Sequence, residues 1–101
     1  MKESETFRIL QTHAFRKWLE SLDKGTRLRI AQRLGRIAYG NFGDHKALKN
    51  GVFELRMTFG PGYRIYYTVQ GQDIVLLLWG GTKRRQSRDI LRAQEMVERL
   101  K

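Results

Sequence analysis

Cysteine is absent from the 101 residues, so neither a disulfide framework nor a cysteine-ligated zinc site can form. That fits a reducing, cytoplasmic setting. Acidic residues are scarce. Ten Asp and Glu stand against twenty Lys and Arg, leaving a formal net charge of +10. The ten are scattered, with no carboxylate cluster and no HExxH pattern, so no metal and no cofactor is expected. No apolar run approaches the ~18 residues that a membrane-crossing helix needs. Residues Met1–Leu10 mix charged and apolar side chains and lack the apolar core of a signal peptide. Proline occurs once, and there is no repeat, linker or low-complexity tract. One domain over residues 1–101 is the expectation.

What the chain has in excess is positive charge. Summed charge of this size steers association with polyanions and adds affinity through released counterions, so RNA, DNA or an acidic protein is the expected class of partner. A membrane surface is disfavoured, because no basic helix carries a broad apolar face with aromatics.

The hydrophobic pattern changes period part-way along the chain. Thr6–Gln11 is β-prone and reads as a first strand. Phe15, Trp18, Leu19 and Leu22 then follow helical spacing, with Thr12 as N-cap. Asp23 caps a second helix expected from Lys24 to Tyr39, whose polar side carries Arg29, Arg33 and Arg36 as a basic stripe. Lys46–Lys49 reads as a short edge strand. From Val52 to Phe59 the period is two: Phe53, Leu55, Met57 and Phe59 point one way, Glu54 and Arg56 the other. Tyr63, Ile65, Tyr67 and Val69 alternate with Arg64, Tyr66 and Thr68. Ile74–Trp79 is a continuous apolar run suited to a central strand covered on both faces, and Gly80-Gly81 is expected to end it. A basic loop (Lys83, Arg84, Arg85) leads to a last helix with Ser87 as N-cap and Ile90, Ala93, Val97 and Leu100 on one face. The order predicts an α+β domain: a strand, a helix pair, an antiparallel meander of three or four strands, and a C-terminal helix.

The hairpin brings charged groups together. Facing residues of an antiparallel pair have a constant index sum, and here it must be even, since a one-residue slip would set core against solvent. A three-residue loop, Gly60-Pro61-Gly62, predicts a sum of 122. Met57 then faces Ile65, Arg56 faces Tyr66 and Glu54 faces Thr68, with Arg56 and Arg64 diagonal neighbours about 7–8 Å apart. Two arginines this close, with Lys83 leaving the adjacent strand, suit a phosphate held by guanidinium forks. A solvated face with Glu54 neutralising Arg56 is the competing reading.

GVFELRMTFGPGYRIYY (Gly51–Tyr67), LLLWGGTK (Leu76–Lys83) and QSRDILRAQEM (Gln86–Met96) resemble the RelE/ParE toxin superfamily, most closely its HigB-like branch of addiction module killer proteins. The resemblance runs over nearly the whole chain. It departs at Thr82, where the family more often has Asp. It implies a RelE-like fold and ribosome-dependent, metal-free cleavage of mRNA. It also implies a cognate antitoxin, commonly a helix-turn-helix DNA-binding protein. The site residues it implies are Arg56, Arg64, Tyr66, Lys83 and Glu54, with His45 a weaker candidate.

These residues suit that chemistry. RNA supplies the nucleophile, its 2′-hydroxyl. Arg56 and Arg64, expected to converge where a phosphodiester could rest, would stabilise the phosphorane charge. Lys83 would add charge or act as a base, and Tyr66 would donate a proton or stack on a base. Glu54 is either the base or a partner that positions Arg56. Lys46, Lys49, Arg84, Arg85, Arg29, Arg33 and Arg36 are the expected RNA contacts, the helical three serving equally as contacts for an acidic antitoxin segment. Trp18 and Trp79 read as core residues. Two other functions fit the composition: a ParE-like inhibitor of DNA gyrase without nuclease activity, and a non-enzymatic RNA-binding module.

Overall fold

Thr12 and Asp23 each stop the chain from running straight into a helix. In the computed structural model, which describes residues 6–101, the Thr12 hydroxyl accepts from the Phe15 N–H at 3.0 Å and donates to the Leu78 carbonyl at 2.8 Å. Asp23 accepts from the Thr26 N–H at 3.1 Å. Each satisfies one of the orphan amides at a helix start. Helix α1 (His13–Glu20) and helix α2 (Lys24–Ile37) follow. α2 stops two residues before Tyr39, where Gly40, with φ of 86°, turns the chain away. Residues 1–5 of the amino-terminal stretch lie outside the described residues.

The strands are β1 (Arg8–Gln11), β2 (His45–Ala47), β3 (Phe53–Met57), β4 (Tyr63–Gln70) and β5 (Ile74–Thr82). They form one sheet in the order β1-β5-β4-β3-β2. β1 runs parallel to β5, and the other neighbours are antiparallel. A single-turn 3-10 helix (Lys83–Arg85) leads into α3 (Gln86–Arg99). This is the α+β architecture read from the hydrophobic pattern, with the meander of four strands joined by a parallel fifth.

The sheet is covered on both faces. Phe15, Ile30 and Ile37 from the helix pair pack on Leu55, Met57, Ile65, Tyr67, Val75 and Leu77. On the opposite face Ala93 and Val97 of α3 meet Val52, Tyr66, Leu76 and Leu78. The alternation in β5 therefore feeds two cores, as the apolar run Ile74–Trp79 required.

Four local expectations are corrected. The β3–β4 index sum is 120, not 122. The loop has five residues, because the Phe59 carbonyl accepts the Gly62 N–H at 3.1 Å and so closes a turn in place of a ladder pair. Gly60 and Gly62, with φ of 59° and 81°, make that turn possible. The sum stays even, so every residue keeps its face while its partner shifts by two. Second, Gly80-Gly81 does not end β5, which continues to Thr82. The missing side chains make room: a Cβ at Gly80 would strike the Trp18 ring, and one at Gly81 the Asp89 carboxylate. Third, Ser87 is not a cap, since it lies inside α3 and Arg85 takes that place without a side-chain bond. Fourth, the edge strand is His45–Ala47 rather than Lys46–Lys49.

Candidate functional site

The corrected register sets Arg56 directly opposite Arg64, on the face that α3 covers. Side chains so placed start about 5 Å apart, and like charges there repel. The expected convergence does not occur. Arg56 turns to the sheet edge, where its Nη2 and Nε donate to Asp44 Oδ1 at 2.9 and 3.2 Å. Arg64 turns inward, its Nε 3.9 Å from Glu54 Oε2. The same Glu54 oxygen accepts from Gln86 Nε2 at 2.9 Å. Two carboxylates have separated two cations.

The two pairs differ in kind. Arg56 and Asp44 keep 36% and 51% of their side-chain surface, so the contact is weak and exchangeable. Glu54 is wholly buried and Arg64 nearly so. Glu54 thus positions Arg64 and not Arg56, and α3 seals it from above through Gln86.

Tyr66 sits opposite Glu54 and is wholly buried. Its hydroxyl has no hydrogen-bond partner among the described residues. Burial, with the nearby Glu54 and Asp89 carboxylates, pushes the phenol well above its usual range. The ring offers no open face to a nucleobase.

Lys83 lies beside the hairpin turn: its N–H donates to the Gly62 carbonyl at 2.6 Å, and its side chain is exposed. Arg84, Arg85 and Arg88 line an open cleft at the start of α3 with Ser87. Lys46 is exposed on the edge strand, opposite Glu54 and so on the Arg56 side of the sheet. Lys49 is exposed in the following turn, where its carbonyl accepts from Gln94 at 3.4 Å. His45 opposes Leu55 and therefore lies on the helix-pair side, with Nδ1 2.9 Å from the Gly43 carbonyl.

The stripe on α2 divides. Arg33 donates to the carbonyls of Arg56, Phe42 and Asp44 at 3.0, 3.0 and 2.9 Å, a clamp that stands in for a missing strand beside β3. Arg29 lies over the Phe59 ring at 3.9 Å. Arg36 is exposed. Trp79 is half-buried. Its Nε1 donates to Asp89 at 3.0 Å, and Arg92 covers its ring.

Asp44 and Gln86 are the site residues that sequence reasoning missed. Neither stands on a periodic face, and only the fold brings them to Arg56 and Glu54. Among the described residues no group of three or more His, Asp or Glu could hold a metal ion.

The family described as phage-derived protein Gp49-like (DUF891) matches residues 17–98. The chain belongs to this Gp49-like family. An uncharacterised protein of Haemophilus influenzae shares 40% identity over 96 residues, which cover 94% of this chain and 97% of that one. Solved structures place the Gp49-like chain in the RelE fold. An arginine-to-alanine double mutant of the Escherichia coli toxin RelE, in the free state, superposes with a TM-score of 0.73 at 13% identity, over 90% of this chain and 96% of that one. The toxin–antitoxin complex RelBE2 of Mycobacterium tuberculosis contains a chain at TM-score 0.64 and 19% identity, covering 77% and 99%. The archaeal RelE–RelB complex of Pyrococcus horikoshii gives 0.61 at 20%, covering 79% and 98%.

Proposed function

We propose that this chain is the toxin of a toxin–antitoxin pair, that it cleaves mRNA on the ribosome without a metal, and that it thereby stops translation. The observation that carries this reading is the RelE-like fold itself, at net charge +10, with Arg56 and Arg64 opposed in register though their side chains part and Lys83 at the neighbouring hairpin turn. Support comes also from the fold neighbours, described as a RelE toxin and as toxin–antitoxin complexes. The resemblance of the ELR…GPGYRIYY segment to the HigB-like branch supports that finer assignment.

The chemistry is in-line attack of the RNA 2′-oxygen on the adjacent phosphorus. That oxygen gives up its proton, the 5′-oxygen leaves and takes one, and a cyclic phosphate remains. Arg64, held by Glu54, is a fixed cation for the phosphorane. Arg56 joins it when a phosphate displaces Asp44, because paired bonds from a guanidinium fork outweigh an exposed ion pair. Lys83, Arg84, Arg85, Lys46 and Lys49 hold the flanking phosphates. Lys83 is the base candidate, since Glu54 is wholly buried beneath Gln86 while Lys83 is exposed. The cognate antitoxin is a helix-turn-helix protein that masks this basic surface.

Poisoning of DNA gyrase is a second reading, favoured by the divergence of the two arginines, since an inhibitor needs no catalytic constellation. Purified protein incubated with translating ribosomes, followed by mapping of mRNA ends, separates the two. New ends that vanish in Arg64→Ala support cleavage. Intact mRNA together with lost gyrase supercoiling supports the second reading.

A further inference from the structure

α3 has two flanks, and cations gather on one of them. Gln86 and Gln94 bond to Glu54 and to the Lys49 carbonyl on the flank towards β3 and the proposed RNA site. Arg85, Arg88, Arg92 and Arg99 recur at helical spacing on the other, over the end of β5 and the start of α1. A cleft of about 280 Å³ opens there beside Trp79, walled by Arg85, Arg88 and Arg92, all exposed.

Residues three and four apart on a helix are neighbours, so these three arginines repel one another along α3. Asp89 stands four residues from Arg85 and three from Arg92, and Glu95 three from Arg92, spacings at which a carboxylate ordinarily pairs. Yet among the described residues no ion pair involves any of the three. Asp89 is buried, with one oxygen on the Trp79 indole N–H at 3.0 Å and the other against Gly81. Arg92 lays its guanidinium over the Trp79 ring, 3.9 Å from the centroid. The cleft therefore joins two unneutralised cations to a third that is braced on an aromatic ring.

We infer that this cleft binds a nucleotide, its base stacked on the outer side of the Arg92 guanidinium and its phosphate held between Arg85 and Arg88. A delocalised guanidinium stacks on flat rings as well as pairing with anions, and nucleobases stack on arginine planes in RNA recognition. Phosphate takes paired bonds from guanidinium forks. The braced Arg92 decides for a nucleotide over an acidic peptide, whose carboxylates need only the guanidinium edges. Ordinary small-molecule sites span ~300–1,000 Å³, so a cleft of about 280 Å³ takes one nucleotide at most. The same chemistry comes from a free mononucleotide or from one residue of an RNA chain. The cleft lies across α3 from Glu54 and Arg64, and its occupancy needs no step of RNA cleavage. The inference thus goes beyond the toxin reading and is tested apart from it.

Isothermal titration calorimetry at low salt compares adenosine 5′-monophosphate with ribose 5-phosphate, which has the phosphate and no base. The mononucleotide should bind about tenfold more tightly. Arg92→Lys keeps the charge and loses the plane. It should erase that preference while changing affinity for ribose 5-phosphate less than about twofold. Arg88→Ser should weaken both ligands about fivefold. A labelled single-stranded oligoadenylate, followed by fluorescence anisotropy, separates the two sources. If neither small ligand binds measurably, a loss of about tenfold for the chain in Arg92→Lys upholds the site and assigns it to RNA. Measurable and equal binding of the two small ligands would reduce the cleft to an anion site and overturn the proposal. So would an Arg92→Lys protein that keeps full affinity for mononucleotide and chain alike. A phosphoserine peptide that binds more tightly than both nucleotide probes would overturn it too, by giving the cleft to a protein partner.

Discussion

Asp89 lays one carboxylate oxygen over the bare α-carbon of Gly81 while the other accepts the Trp79 indole N–H at 3.0 Å. The start of α3 is thereby seated against the last turn of β5, where a side chain would stand in any other strand. This contact positions Gln86, three residues earlier, to close over Glu54.

Gly81→Ala should therefore cost about 3 kcal/mol, the upper end of what a forced methyl does in a packed interior. Denaturant unfolding measures it. Combined with Asp89→Ala, the loss should be less than the sum of the two single losses, because the second change removes the group that the methyl strikes. Strict additivity would mean that α3 does not rest on Gly81.

Arg33 replaces a strand with a side chain. Its guanidinium serves the carbonyls of Phe42, Asp44 and Arg56, and burial lowers its pKa from the usual arginine value, with neighbouring Arg36 adding to the effect. Arg33→Ala leaves three acceptors without their donor and should lower stability by about 3 kcal/mol, read from the denaturation midpoint. Arg33→Lys should recover less than half of that, because a compact ammonium cannot span the fork.

Much of this architecture is legible in the chain. Period two in β3 and β4, helical spacing at Phe15, Trp18, Leu19 and Leu22, and the caps at Thr12 and Asp23 are local signals that the tertiary structure leaves intact. The hairpin register escaped because parity constrains the index sum only to even numbers. Choosing between them depends on a single turn hydrogen bond at Phe59. Gly80 and Gly81 read as a strand end because their function is to accommodate Trp18 and Asp89, residues distant in sequence. Arg33 read as one of three surface cations because its acceptors lie in a loop and a strand that only folding brings near. At the site, Arg56 and Arg64 were recognisable as neighbours, but Asp44, which draws one of them away, carries no pattern of its own.

Asp44 holds Arg56 in an exposed pair, so Asp44→Asn should change stability by less than about 0.5 kcal/mol. Freed of that competitor, Arg56 is available to a phosphate. Cleavage of mRNA in a translating extract should rise about threefold, in line with an ion pair of well under 1 kcal/mol. An unchanged or slower rate in a stable variant would remove Arg56 from the proposed chemistry.

Alkaline pH should expose the two buried phenols. Burial pushes Tyr67 up to about 12, against an opposing pull from Arg33, and pushes Tyr66 higher still. The unfolded chain releases these protons near pH 10, so above that point it binds fewer protons than the folded protein, and unfolding is favoured as pH rises. The stabilisation from Tyr67 is complete below pH 10 and is lost as pH climbs through the folded value of about 12. Tyr67→Phe cannot ionise, so its stability should fall less over that interval when unfolding is followed by circular dichroism in denaturant at a series of pH values. Tyr66→Phe should flatten the same slope. It should also hold or raise stability at neutral pH, because the hydroxyl it deletes is buried without a hydrogen-bond partner among the described residues. A destabilised Tyr66→Phe protein would show that the phenol has a hydrogen-bond partner in solution.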